Sequence, residues 1–253
     1  MKPAPADAQS AINATIAVAK KTLGERLRAI FAMGSLGYGG YVPGWSDADI
    51  DLIVHDRGEN ADELLAEGFA IRDAIHQLGY PDIDIKCYTT AILNNPETSY
   101  EYGSANRAVM LRESARLLAG EDVREEIQPP GRVTLIREAI AVARGLAGKS
   151  DAWWDDRPLD DTAALLALPG RLLITCDTGK VVGKTVALEM LLRDHGAEVP
   201  GESWPWLIWA LSVRSIPLAR TVPGNCLPDA QRAARSLLNW VVPLLDKKLD
   251  ALN

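Results

Sequence analysis

Three aspartates on alternate positions, Asp47, Asp49 and Asp51, stand at the mouth of an apolar run in "MGSLGYGGYVPGWSDADIDLIV" (33–54). Alternation places all three on one face of a strand, where like charges repel at close range. A sequence tolerates this where a positive group sits among them or where the carboxylates share protons. A second strand, "DIDIKCYT" (82–89), repeats the pattern: Ile83, Ile85 and Cys87 point one way, Asp82, Asp84 and Lys86 the other. In "DIDLIV" (49–54) Ile50 and Leu52 face the core, which leaves Asp49 and Asp51 together on the opposite face. Two neighbouring strands of this kind bring Asp49, Asp51 and Asp84 into one patch. Hard divalent ions such as Mg²⁺ take carboxylate oxygens and complete their shells with water and substrate phosphates. Three convergent carboxylates and a nucleoside triphosphate therefore make a metal-assisted phosphoryl-transfer site. Gly34-Ser35, ahead of the first acids, supplies the phosphate side, because a strand ending in Gly-Ser exposes backbone N–H groups and a hydroxyl. The plainer alternative is a solvated sheet face. Two acidic strands behind a Gly-Ser turn argue against it.

The elements that must position these residues are legible in the first half of the chain. Residues 10–27 carry apolar positions at helical spacing, with Ser10 available as a cap. "RAIFAM" (28–33) reads as a strand entering a turn, and "YGGYVPGW" as a loop. Residues 60–78 form an amphipathic helix that ends at Gly79 and Pro81. These pieces make a small mixed sheet flanked by helices. After "QPPG" (128–131) the sequence is nearly all helical. Val133, Ile136, Ile140, Ala143 and Leu146 form one stripe, and further helices are expected at 160–176, 183–195, 203–213 and 227–249. The expected class is α+β, with an N-terminal mixed-sheet domain (1–125) and a C-terminal helical bundle (126–253).

At 253 residues, 47% apolar and 24% charged, the chain has the composition of a globular protein with a real core. No apolar run approaches the roughly 20 residues of a membrane helix, and the N-terminus lacks the pattern of a secretory signal. The three cysteines, Cys87, Cys176 and Cys226, have neither disulfide-framework nor metal-ligand spacing. A reduced, cytoplasmic protein without a membrane partner is expected. A net charge of −7 disfavours a nucleic-acid partner, which calls for clustered Lys and Arg.

"MGS", thirteen residues and then "DIDL" resemble the signature of the polymerase-β-like nucleotidyltransferase superfamily, with Asp84 where that superfamily carries its third acid. The usual gap is a little shorter, so either Asp47 or Asp49 could open the motif. The apolar residue after each acid favours Asp49 and Asp51, leaving Asp47 outside the metal shell. A second stretch, "GRLLITCDTGKVVGKTVALEML" (170–191), resembles the C-terminal domain of the streptomycin/spectinomycin adenylyltransferases. That resemblance implies that Asp49, Asp51 and Asp84 hold Mg²⁺, with Asp84 either a ligand or the base for the attacking hydroxyl. It implies further that Gly34, Ser35, Arg171 and Lys184 bind the nucleotide, and that Asp161 faces the acceptor. The implied reaction is transfer of AMP from ATP to a hydroxyl of an aminoglycoside-type antibiotic. The streptomycin-modifying members carry a Trp where this chain reads "YGSAN", with Ala105, which favours spectinomycin or another antibiotic.

Other stretches carry competing readings. "GKVVGKT" nearly spells a P-loop but is one residue short and lacks a following acidic strand. Trp153-Trp154 precede the acids Asp155, Asp156, Asp160 and Asp161, a mixture suited to a cationic sugar, and Trp154 is the candidate contact. Trp204, Trp206 and Trp209 read as bundle core. His55, His76 and His195 are isolated and read as structural. Two other functions stay open: a nucleotidyltransferase acting on a protein or tRNA, and an inactive nucleotide sensor on the same fold.

Overall fold

The computed structural model describes residues 5–39, 41, 46–95, 104–215 and 226–252. The chain divides into two compact units, Met1–Pro130 and Gly131–Asn253.

The first unit is built on a four-stranded sheet of order β3-β2-β1-β4 among the described residues. Its strands are β1 (Leu27–Ala32), β2 (Ala48–Val54), β3 (Ile83–Tyr88) and β4 (Arg116–Gly120). β1 runs antiparallel to β2 and to β4, whereas β2 and β3 are parallel. The parallel pair needs a crossover, and α3 (Ala61–Gln77) supplies it. Asn60 starts α3 with a capping box: its side chain accepts from the Glu63 N–H, and the Glu63 carboxylate accepts from the Asn60 N–H. One sheet face, with Ile30, Ile50, Leu52, Ile83 and Ile85, buries itself in a core with Ile12 and Ala19 of α1 (Pro5–Leu23) and Leu64, Ile71 and Ile75 of α3. The opposite face carries Asp49, Asp51, Asp84 and Lys86. Two short helices, α2 (Gly34–Gly37) and α4 (Thr90–Asn94), and the longer α5 (Ser104–Ser114) complete the unit.

The second unit is helical throughout the described residues: α6 (Arg132–Ala147), α7 (Asp151–Asp155), α8 (Leu159–Thr178), α9 (Lys184–His195), α10 (Trp204–Ser215) and α11 (Leu227–Asp250). In α11, Ala230, Ala233, Ala234, Leu237, Leu238, Val241 and Leu245 repeat at helical spacing and are buried. α8 and α9 approach closely at Gly170, where a Cβ would stand 2.5 Å from the Ala187 carbonyl oxygen.

Several expectations are corrected by packing. The buried stripe of α6 runs through Leu135, Ile136, Ala139, Ile140, Ala143 and Ala147, with Val133 and Leu146 only half-buried. The α10 tryptophans are not core: Trp204 is 39% exposed, Trp206 and Trp209 are half-buried, and Leu207, Ala210 and Val213 take the inner face. A tryptophan can sit at such an edge because its N–H needs a polar partner, and Trp204 donates to the Gly196 carbonyl at 2.9 Å. β4 and the helices α4, α5 and α7 have no counterpart in the sequence reading.

Candidate active site

The site grows from the junction of β1, α2 and β2. After β1 the chain stays extended at Met33, whose N–H donates to the Asp49 carbonyl at 2.9 Å. That bond fixes the start of α2 beside Asp49. Gly34 then adopts φ +52°, and a Cβ there would stand 2.5 Å from Asp49 Oδ2. Both the left-handed backbone and the close approach exclude a side chain. Within α2 the first bond runs from the Gly37 N–H to the Met33 carbonyl. The N–H groups of Gly34, Ser35 and Leu36 are therefore outside the turn's own bonding, as at any helix start.

The parallel register of β2 and β3 pairs Asp49 with Asp84 and, one rung deeper, Asp51 with Lys86. Alternation along each strand puts these four side chains on one face. Asp49 and Asp84 are half-buried, and Asp47, just before β2, is exposed. Two carboxylates thus stand side by side in register, and Asp49 is the one next to the Gly34 backbone.

Asp51 departs from expectation. Its side chain is fully buried, and Arg107 of α5 grips both of its oxygens. Nε donates to Oδ2 at 2.7 Å, and a terminal guanidinium nitrogen donates to Oδ1. This two-pronged geometry is the strong form of a charged hydrogen bond. Burial raises the Asp51 carboxyl above the ordinary range, and Arg107 and then Lys86 work against that rise. For Arg107, burial disfavours the charged form, but Asp51 outweighs it and lifts the guanidinium well above its ordinary value. A guanidinium does not shed its proton inside a protein, so Asp51 is its carboxylate counter-ion.

The expected triad of Asp49, Asp51 and Asp84 is accordingly not gathered. Among the described residues no group of three acidic, histidine or cysteine side chains is placed to hold a metal ion. The reason is depth: Asp51 lies one rung below Asp49, where Arg107 takes both its oxygens. The remaining donor set still fits Mg²⁺, which takes one or two carboxylates and shares its other positions between phosphate and water. Asp49, beside Gly34, and its register partner Asp84 could supply such oxygens. Arg107 was not found from the sequence. The only signal is indirect, since an aspartate inside an apolar strand requires a cation, but nothing local says which one.

The second unit places its candidates as follows. Arg171 is half-buried on α8, and Lys184 is the first residue of α9, adding charge at the positive end of that helix. Asp161 lies in the first turn of α8, with Arg157 3.5 Å away. Trp154 is only 3% exposed, so its ring offers no open face to a ligand. It is Trp153 that carries a cation, the Arg157 guanidinium lying 4.5 Å from its ring centre. The near-P-loop stretch joins α8 to α9, with Gly179 capping the first helix and Gly183 preceding the second. A P-loop opens from a strand, so this loop is not one.

The chain folds as a small mixed sheet with helices around it, followed by a helical unit, and this fold is shared with a solved adenyltransferase. The particular likeness is to the spectinomycin adenyltransferase AAD(9) from Enterococcus faecialis, whose crystal structure was determined with ATP and spectinomycin. The match has a TM-score of 0.65 at 14% identity and covers 92% of this chain and 98% of that one. No family model matches the sequence, and no curated protein matches it either. Among the described residues no helix is long and apolar enough to cross a membrane.

Proposed function

We propose that the chain is a Mg-ATP-dependent O-nucleotidyltransferase that moves AMP to a hydroxyl of an aminoglycoside-type antibiotic, spectinomycin being the first candidate. The observation that carries this reading is the contact of Asp49 with the Gly34 backbone, with Asp84 beside it in register. The likeness in fold to a spectinomycin adenyltransferase supports the choice of acceptor.

In this reading Asp49 and Asp84 hold the divalent ion, and Gly34 and Ser35 receive the β- and γ-phosphates at their N–H groups. The ion, when bound, neutralises charge on the triphosphate and on the departing pyrophosphate. Gly34 leaves the Asp49 carboxylate the room that a side chain would take, which matters because phosphoryl transfer depends on alignment and charge more than on covalent help. The alternative role for Asp84 is that of base, accepting the proton of the attacking hydroxyl. Arg171 and Lys184 are the proposed cations for the nucleotide, and Asp161 the proposed acid for the acceptor's amino or hydroxyl groups. ATP and a small polycationic or polyhydroxyl acceptor are then the partners, without nucleic acid.

The test is incubation of purified protein with Mg-ATP and a panel of aminoglycosides, spectinomycin and lincosamides, followed by mass spectrometry. One drug should gain a single AMP, and Asp49→Asn should abolish the transfer while the protein remains folded. Labelled protein or tRNA with every drug unmodified would refute the antibiotic reading.

A further inference from the structure

We infer that Asp51 and Arg107 are positioning residues, an internal ion pair that sets the carboxylate strand rather than part of the metal shell. The inference rests on the proposed nucleotidyltransferase reading and sharpens which acids do its chemistry. Three observations carry it. First, Asp51 is fully buried while Asp49 and Asp84 are half-buried and Asp47 is exposed, so the row of acids sinks from the mouth of the strand inward. Second, both Asp51 oxygens are engaged by one guanidinium, and the carboxylate has no exposed surface to offer an ion. Third, Lys86 is the register partner of Asp51, so a second cation faces the same carboxylate. Its charge is answered from two sides before any ion arrives.

The pair also explains how the fold tolerates three aspartates in a row. Arg107 cancels the innermost charge, and the repulsion left is between carboxylates that reach solvent. Because Arg107 belongs to α5 and Asp51 to β2, the bond ties that helix to the strand two residues from Asp49. Asp49 in turn fixes Gly34 through the Met33 N–H bond. A shift of Asp51 is therefore passed to Asp49 along one strand.

The experiment uses Mn²⁺ with ATP, its binding followed by electron paramagnetic resonance, and thermal unfolding as the second readout. Asp49→Asn should weaken Mn²⁺-ATP binding at least thirtyfold with little change in melting temperature. Asp51→Asn and Arg107→Met should each lower the melting temperature, because each leaves a buried charge alone. The double variant Asp51→Asn/Arg107→Gln should recover much of that loss, as replaced buried pairs generally do. Its Mn²⁺-ATP affinity should fall about three- to tenfold, the mark of a misplaced neighbour. A thirtyfold loss in the double variant would make Asp51 a ligand, and wild-type affinity would make the pair purely structural; either overturns the inference while the function stands. Wild-type protein that binds no Mn²⁺-ATP overturns the function, and the inference with it.

Discussion

Replacing Gly34 by alanine separates two effects that the structure combines at one residue. The backbone there has φ +52°, a region that costs an L-residue roughly 1–2 kcal/mol. For a unit of this size that corresponds to a melting-temperature drop of about 3–10 °C. The added methyl would also stand 2.5 Å from Asp49 Oδ2, well inside contact distance. The carboxylate can escape by rotating, so the clash costs position more than stability. A misplacement of about 1 Å at a reacting centre is worth about a hundredfold in rate. Gly58→Ala is the control, since Gly58 has φ +85° but nothing within 4 Å of its would-be Cβ. Thermal unfolding should place the two variants close together, whereas Mn²⁺-ATP binding and AMP transfer should collapse only in Gly34→Ala. A Gly34→Ala protein that binds and transfers like wild type would refute the cradle.

Two further outcomes follow from burial. Cys87 and Cys176 are buried, and burial raises the Cys87 thiol far above its ordinary value and the Cys176 thiol to about 12. A thiol reagent at neutral pH should therefore modify only Cys226 quickly in the native protein and all three cysteines after denaturation; rapid labelling of two or three native thiols would contradict this. Trp154→Ala should lose about 3–5 kcal/mol in chemical denaturation as a core truncation. Trp153→Ala gives up its contact with Arg157 and its edge-to-face contact with the Trp154 ring, together about 1–2 kcal/mol, and equal losses for the two would remove Trp154 from the core.

The parts of the fold that sequence revealed are those with a strong period. The alternation in 49–54 and 82–89 marks β2 and β3, and the helical stripes locate α3, α8, α9 and α11 to within a few residues. β4 escaped notice because "RLLAG" neither alternates nor carries β-branched residues, and it exists as a strand only because β1 pairs with it. The α10 tryptophans misled because aromatic content suggests core, whereas an indole also suits a half-exposed edge with its N–H bonded. At the site, residue types pointed to the correct strand face but not to depth. Asp49 and Asp51 are equivalent in an alternating pattern. Only the arrival of Arg107, 56 residues further along, makes one half-buried and the other a buried counter-ion.

β3 has a second consequence that has nothing to do with nucleotides. It is the outer strand of the sheet on its side among the described residues, so one row of its backbone N–H and C=O groups has no strand beside it. Such a margin invites another extended chain to zip onto it, and natural sheets discourage this with charged residues. Here Asp82, Asp84 and Lys86 are those residues. The acid that the proposed function gives to the metal site is therefore also one of the charges that discourage copies of the protein from pairing here. Exchanging Asp84 for an apolar residue would exact its cost in the test tube as precipitation, before any assay of transfer could be run.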